Sequence, residues 1–145
     1  MAGEVALAAK WIFDTLKADA TLTAVLSGGA AGIYQDVAPV GAGFPYVVFF
    51  LLDPGDTINT TGTSQEIIWQ PTLWLVKGVV KSASYGSPLS TIETQIFTDL
   101  HKKQATVAGG SVWSAVRVRP FQMQETGPGG EQYRHAGGVY RLRVK

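Results

Sequence analysis

The stretch Phe44-Pro45-Tyr46-Val47-Val48-Phe49-Phe50-Leu51-Leu52 is the longest apolar run in the chain, bounded by Gly41 and Gly43 before it and by Asp53-Pro54-Gly55 after it. β-Branched and aromatic residues in a run of this length between turn signals predict a strand. Neighbouring side chains leave a strand on opposite faces, so Tyr46, Val48, Phe50 and Leu52 line one side and Val47, Phe49 and Leu51 the other. A strand apolar on both faces needs cover on both. Helices are the natural cover for one face, and a partner subunit is a candidate for the second.

The surrounding chain supplies those helices. Val5, Ala8, Ala9, Ile12, Phe13 and Leu16 recur at three- and four-residue steps and predict a helix over 4–17, with Glu4 and Lys17 at the ends that suit the helix dipole. Asp19 or Thr21 can cap a short helical turn that ends at Ser27-Gly28-Gly29. A short edge strand is expected at Ile33–Tyr34. Beyond the polar 53–64 loop, residues 66–76 read as a second strand, placed at an edge or bulged because Pro71 cannot donate to a ladder. Ser87 is the expected N-cap of the next helix, with Pro88 at its first position and Leu89, Ile92, Ile96 and Leu100 on its buried side. Alternation over 111–119 and 139–144 predicts two final strands, joined by a flexible loop that includes Gly127-Pro128-Gly129-Gly130. The order α-β-β-α-β-β predicts one α+β domain over 1–145: two main helices on one face of a four-stranded, mostly antiparallel sheet.

Composition narrows the function. In 145 residues there is no cysteine, the formal net charge is +1, charged residues make up 16 % and hydrophobic residues 46 %. No thiolate metal site or disulfide framework is available. A near-neutral chain argues against a duplex-binding surface, because such domains are usually clearly basic. No apolar run approaches the ~18–20 residues of a membrane span, and Met1-Ala2-Gly3-Glu4-Val5 lacks the basic region of a signal peptide. The expectation is a cytoplasmically made protein with no membrane partner. Low charge beside ample apolar content suggests that part of the surface is covered by other protein.

Catalytic signals are absent. The two histidines, His101 and His135, stand in no recognisable nucleophile or metal-ligand spacing, so neither catalysis, nor a metal, nor a cofactor is expected. The arginines draw more attention. Arg117 with Arg119, and Arg141 with Arg143, share a strand face at period two, and pairing of their strands would crowd four guanidiniums together. Such a cluster is either a solvated face, a partner for acidic groups of a neighbouring subunit (Asp53, Asp56, Glu66 or Glu125), or the lining of a channel through which DNA passes.

Taken in order, several blocks resemble the small tail-terminator, or tail-completion, proteins of long-tailed bacteriophages and prophages. They are the N-terminal helix, Ile33-Tyr34-Gln35-Asp36-Val37-Ala38-Pro39, Phe44-Pro45-Tyr46-Val47-Val48, the helix near 87–101, and Tyr133-Arg134-His135-Ala136-Gly137-Gly138 leading into the last strand. The resemblance implies a structural virion protein assembled in the bacterial cytoplasm. Its homo-oligomeric ring, usually six-fold, would cap the head-proximal end of the tail tube, end its polymerisation and present a docking surface to the head connector or stopper protein. DNA would be passing cargo only. The interface residues expected on this reading are Asp53, Asp56, Glu66, Arg117, Arg119, Arg134, His135, Arg141 and Arg143. The weighed alternatives are a stopper or adaptor of the same junction, a small-molecule-binding α/β module or enzyme, and a tail-tube subunit.

Overall fold

A computed structural model of the chain describes residues 3–55, 58–59, 67–82 and 86–145. Its helices are α1 (Glu4–Lys17), α2 (Ala20–Val25) and α3 (Leu89–Leu100). Its strands are β1 (Ile33–Gln35), β2 (Tyr46–Asp53), β3 (Ile58–Asn59), β4 (Ile67–Val80), β5 (Lys103–Val107), β6 (Gly110–Thr126) and β7 (Gln132–Val144). The main sheet runs β1-β2-β4-β7-β6-β5, and β3 pairs with the outer part of β4. Only β1–β2 is parallel; every other pair is antiparallel.

This corrects the expected four-stranded sheet under two helices: the sheet is mixed, six-stranded along its main path and curled into a half-barrel, with three helices. The reasons are local. β5 is a short, mostly polar edge strand whose alternation amounts to two residues, Ala105 and Val107, half-buried against the core, too little to announce a strand. β6 and β7 do not end at a long loop but continue as one hairpin to Thr126↔Gln132, closed by a Gly127 N–H to Glu131 carbonyl bond of 2.7 Å. The segment from Tyr133 to Gly138 is therefore strand, not a strand entrance. The apolar β2 lies next to the β1 edge, and β4 and β7 form the middle.

The helices form where the pattern placed them. Asp19 caps α2, accepting from the Thr21 and Leu22 amides at 2.9 and 3.1 Å. α3 begins at Leu89 and lacks a side-chain cap, so Ser87 does not serve as one; the Gly86 and Pro88 carbonyls accept from Ser90 and Ile92 instead. The helices cover one sheet face, burying Ile12, Leu16, Ile92, Ile96 and Leu100 against Val47, Phe49, Trp74, Val76, Tyr140 and Leu142. Burying side chains of this size contributes about 1.5–3 kcal/mol each.

A polar chain runs through this core. Trp74 Nε1 donates to Thr72 Oγ1 at 2.9 Å, and that hydroxyl donates to the Leu142 carbonyl at 3.0 Å. Both side chains are buried. Thr72→Val should therefore cost about 1–3 kcal/mol, because it strands a buried indole N–H. Urea denaturation would register the loss, and Thr72→Ser, which keeps the hydroxyl, should recover most of it.

Pro71 lies inside β4 without breaking the sheet, although β4 is central rather than an edge. Its ladder to β7 is continuous through Pro71↔Arg143, whereas on the other side β3 pairs at Ile67 and Trp69 and β2 only from Leu73 onward. The missing donor falls in the gap between β3 and β2, where no ladder bond is needed.

Candidate functional site on the open face of the sheet

The sheet face opposite the helices has no described helix over it. Registers place Tyr34, Val48, Lys77, Gly137 and Phe121 in one cross-strand row, and Tyr46, Val79, His135 and Met123 in the next. Curling of the sheet buries Leu75, Val79, Val139 and His135 on this face. The cover thins toward the β2 edge: Val48 is buried, Phe50 is half-buried and Leu52 is exposed. The doubly apolar run thus has one face sealed by helices and the other sealed only in part.

A compact polar group occupies the middle of this face. Lys77 Nζ lies 5.8 Å from the Phe50 ring centroid and 5.5 Å from that of Phe121, a cation between two aromatic faces. Burial lowers its pKa, with the Glu125 carboxylate acting in the opposite direction. His135 Nε2 lies 3.0 Å from Glu125 Oε2. Burial and then the Lys77 charge lower the His135 pKa, so at neutral pH the ring is neutral and its Nε2–H donates to Glu125. Its Nδ1 is buried with no partner among the described residues, which fits the unprotonated nitrogen of that tautomer. Phe44, Tyr46, Tyr133 and Tyr34 extend the group as an aromatic cluster, with ring centroids 5.1–5.8 Å apart along the chain of contacts. Burial raises the Tyr46 pKa, so its hydroxyl stays protonated.

The arginines divide between the two faces. β6 and β7 do pair, but a bulge between Arg117 and Arg119 switches the alternation: Arg117 stands opposite Tyr140 and Arg119 opposite Val139. Arg117 turns to the helix side, where its guanidinium carbon lies 4.3 Å from the Phe97 ring centroid. Its amide donates to His101 Nδ1 at 3.0 Å, and the His101 ring stacks on Phe97 at 4.5 Å. His101 is thus a structural acceptor that holds β6 to the end of α3. Arg119, Arg141 and Arg143 share the open face, and Arg143 Nη1 donates to Ser114 Oγ at 3.5 Å. Arg134 falls on the helix side of β7, opposite Val80.

Three guanidiniums therefore share the open face with His135, where the alternation alone predicted four. Asp53 stands at the end of β2, its Oδ1 accepting from the Gly55 amide at 2.9 Å. Asp56 and Glu66 lie outside the described residues. Sequence reasoning did not single out Lys77; its signal was the one cation inside the apolar run of β4.

Among the described residues no group of three histidine or acidic side chains is placed to hold a metal ion, and no helix is long and apolar enough to cross a membrane. What the face offers is a curled surface of apolar, aromatic and cationic side chains.

No family model matches the chain, and no curated protein matches it. Among solved structures it is similar to a chain described as "Virion of native gene transfer agent (GTA) particle", with 17 % identity, a TM-score of 0.56, and coverage of 92 % of this chain and 90 % of that one. At this identity the likeness is one of fold, and it spans nearly the whole of both chains.

Proposed function

We propose that this protein is a structural component of a phage-like virion, and that it acts as a tail terminator: a ring of identical subunits on the head-proximal end of the tail tube. The observation that carries the reading is the full-length fold likeness to a chain of a gene transfer agent virion. The ordered sequence blocks that resemble tail-completion proteins support it independently. The open face adds a physical motive, since its partly sealed apolar surface and Arg119, Arg141 and Arg143 suit contact with protein rather than with a small substrate. The proposed role is non-enzymatic, with the tail-tube protein on one side of the ring and the head connector or stopper on the other.

Tail tubes assembled in vitro from the tube protein of the same particle provide the test. Added at a molar ratio near one ring per tube, this protein should shorten the tubes and leave a ring-shaped density at one end in negative-stain images. Tubes of unchanged length and unmarked ends, with binding to the portal ring instead, would overturn the terminator reading in favour of a stopper or adaptor. Removal of residues 55–63 takes out the short strand β3 but spares the six strands of the main sheet, so it should keep the main sheet folded, checked by circular dichroism, while abolishing the capping.

A further inference from the structure

We propose that copies of this chain join head to tail through the two free edges of the sheet. The outer edge of β6, from Val118 to Thr126, would lie against the β1–β2 edge, from Phe50 to Asp53, of the next copy. The contact deepens the ring reading and rests on it for closure into a ring.

Both edges carry backbone left without a neighbouring strand among the described residues. β5 covers β6 only as far as Lys103↔Ala115, with Lys102 N–H bonding the Ala115 carbonyl at 2.7 Å. The next outward amide, that of Arg117, is taken by His101. Beyond it, no described residue pairs with the outer side of β6. The hairpin-closing Gly127–Glu131 bond sets the ladder's alternation, which aims the backbone groups of Gln122 and Gln124 away from β7. At the far end of the sheet, β1 covers β2 only at Val47–Phe49, and the Asp36 amide takes the Phe49 carbonyl at 2.8 Å. Phe50 to Asp53 then run on with no described strand beside them.

The side chains at the two edges complement each other. Val116, Val118 and Met123 are 37–46 % exposed on β6, and Leu52 is 43 % exposed on β2. Arg119 and Arg141 stand toward the first edge; Asp36 and Asp53 stand at the second. None of these four has an ion-pair partner among the described residues. An exposed strand edge with apolar side chains is a template for pairing with another chain. Here the two edges are different patches at opposite ends of one sheet. Their union is heterologous, the kind of contact that repeats around a ring when the rotation closes. Pro120 on β6 has no N–H to offer, so it limits the pairing to a short register around Gln122 and Gln124.

The chain has no cysteine, which makes cross-linking clean. Val118→Cys and Leu52→Cys, prepared separately and mixed under mild oxidation, should give a covalent dimer containing one of each. Each variant alone should stay uncoupled. Gln122→Pro should weaken self-association of the full chain about tenfold or more in sedimentation equilibrium, since it removes a backbone donor from the edge. Val118→Lys should do the same and serves if Gln122→Pro does not fold. Coupling of Val118→Cys to itself would overturn the proposal in favour of a two-fold contact. An oligomer of unchanged mass in both edge variants, without mixed cross-links, would overturn it while leaving the ring reading intact. A chain that stays monomeric to millimolar concentration and forms no cross-link would overturn the contact as well, and tail-tube capping would then decide the ring reading by itself.

Discussion

Gly137→Ala is expected to cost about 3 kcal/mol or more, and Gly137→Val to abolish the folded state, because there is no room at this position for any side chain. Gly137 lies in the middle of β7, paired with Lys77 on one side and Phe121 on the other. A Cβ there would overlap the Val76 carbonyl oxygen and come within 2.6 Å of Lys77 Cα. Both are backbone atoms of the central strand β4, so relief requires moving the sheet itself. Gly138 makes the informative contrast. Its Cβ would meet Arg117 Cδ at 2.9 Å and Tyr140 Cε2 at 3.0 Å, and the arginine side chain can swing aside. Gly138→Ala should therefore cost about 1 kcal/mol, with loss of the Arg117–Phe97 stacking as its main effect. Guanidinium denaturation of the two alanine variants would check the ranking; equal losses would mean that glycine's strand entropy, and not the close approach of β4, sets the cost. Native domains are stable by only about 5–15 kcal/mol in total, so the valine variant has little margin.

Asp99→Asn is expected to stabilise the protein at pH 8, and to do so by less at pH 5. Asp99 on α3 meets the Asp19 carboxylate, which already accepts from the Thr21 and Leu22 amides and from Gln95 Nε2. Burial, and then the hydrogen bond to Asp19, push the Asp99 carboxyl up from 3.8 to about 7, against a smaller opposing effect of Lys103. Between those values the folded state holds a proton that the unfolded chain has released, so stability falls as pH rises through the window and levels off above it. Asp99 is only half-buried, so solvent screening reduces the effect to about 1–2 kcal/mol. Asparagine keeps the shape and can donate to Asp19 at every pH. Thermal denaturation between pH 5 and pH 8 should show the wild type losing stability and the variant holding level. A variant that follows the wild-type slope would remove Asp99 as its source.

Much of the local structure was legible. Three- and four-residue spacing over 5–16 and 89–100 produced α1 and α3, because a helix that must bury one side writes that period into its sequence. Alternation and turn signals located β2, β4 and the ends of β6 and β7. The Asp19 cap was visible as one of two candidates. Polar edge strand β5 was not, since only Ala105 and Val107 turn inward there and two apolar residues are too short a period to detect. Gly137-Gly138 read as loop residues, yet they sit in a strand, with the β4 backbone leaving Gly137 no room for a Cβ and the Arg117 and Tyr140 side chains crowding Gly138.

For the candidate site, the sequence determined which chemistry was present: arginines in pairs, a single histidine beside them, acidic residues at loop ends and an apolar run with two greasy faces. Tertiary structure decided which of these meet. One extra residue at the β6 bulge sends Arg117 under the helices and leaves Arg119 with Arg141 and Arg143, a distinction that alternation cannot anticipate because a bulge is fixed by pairing. Curling of the sheet brings Lys77, Glu125 and His135 from three strands onto one surface. Strand order, set by long-range pairing along the chain, is what puts two edges, unpaired among the described residues, at opposite ends of the sheet.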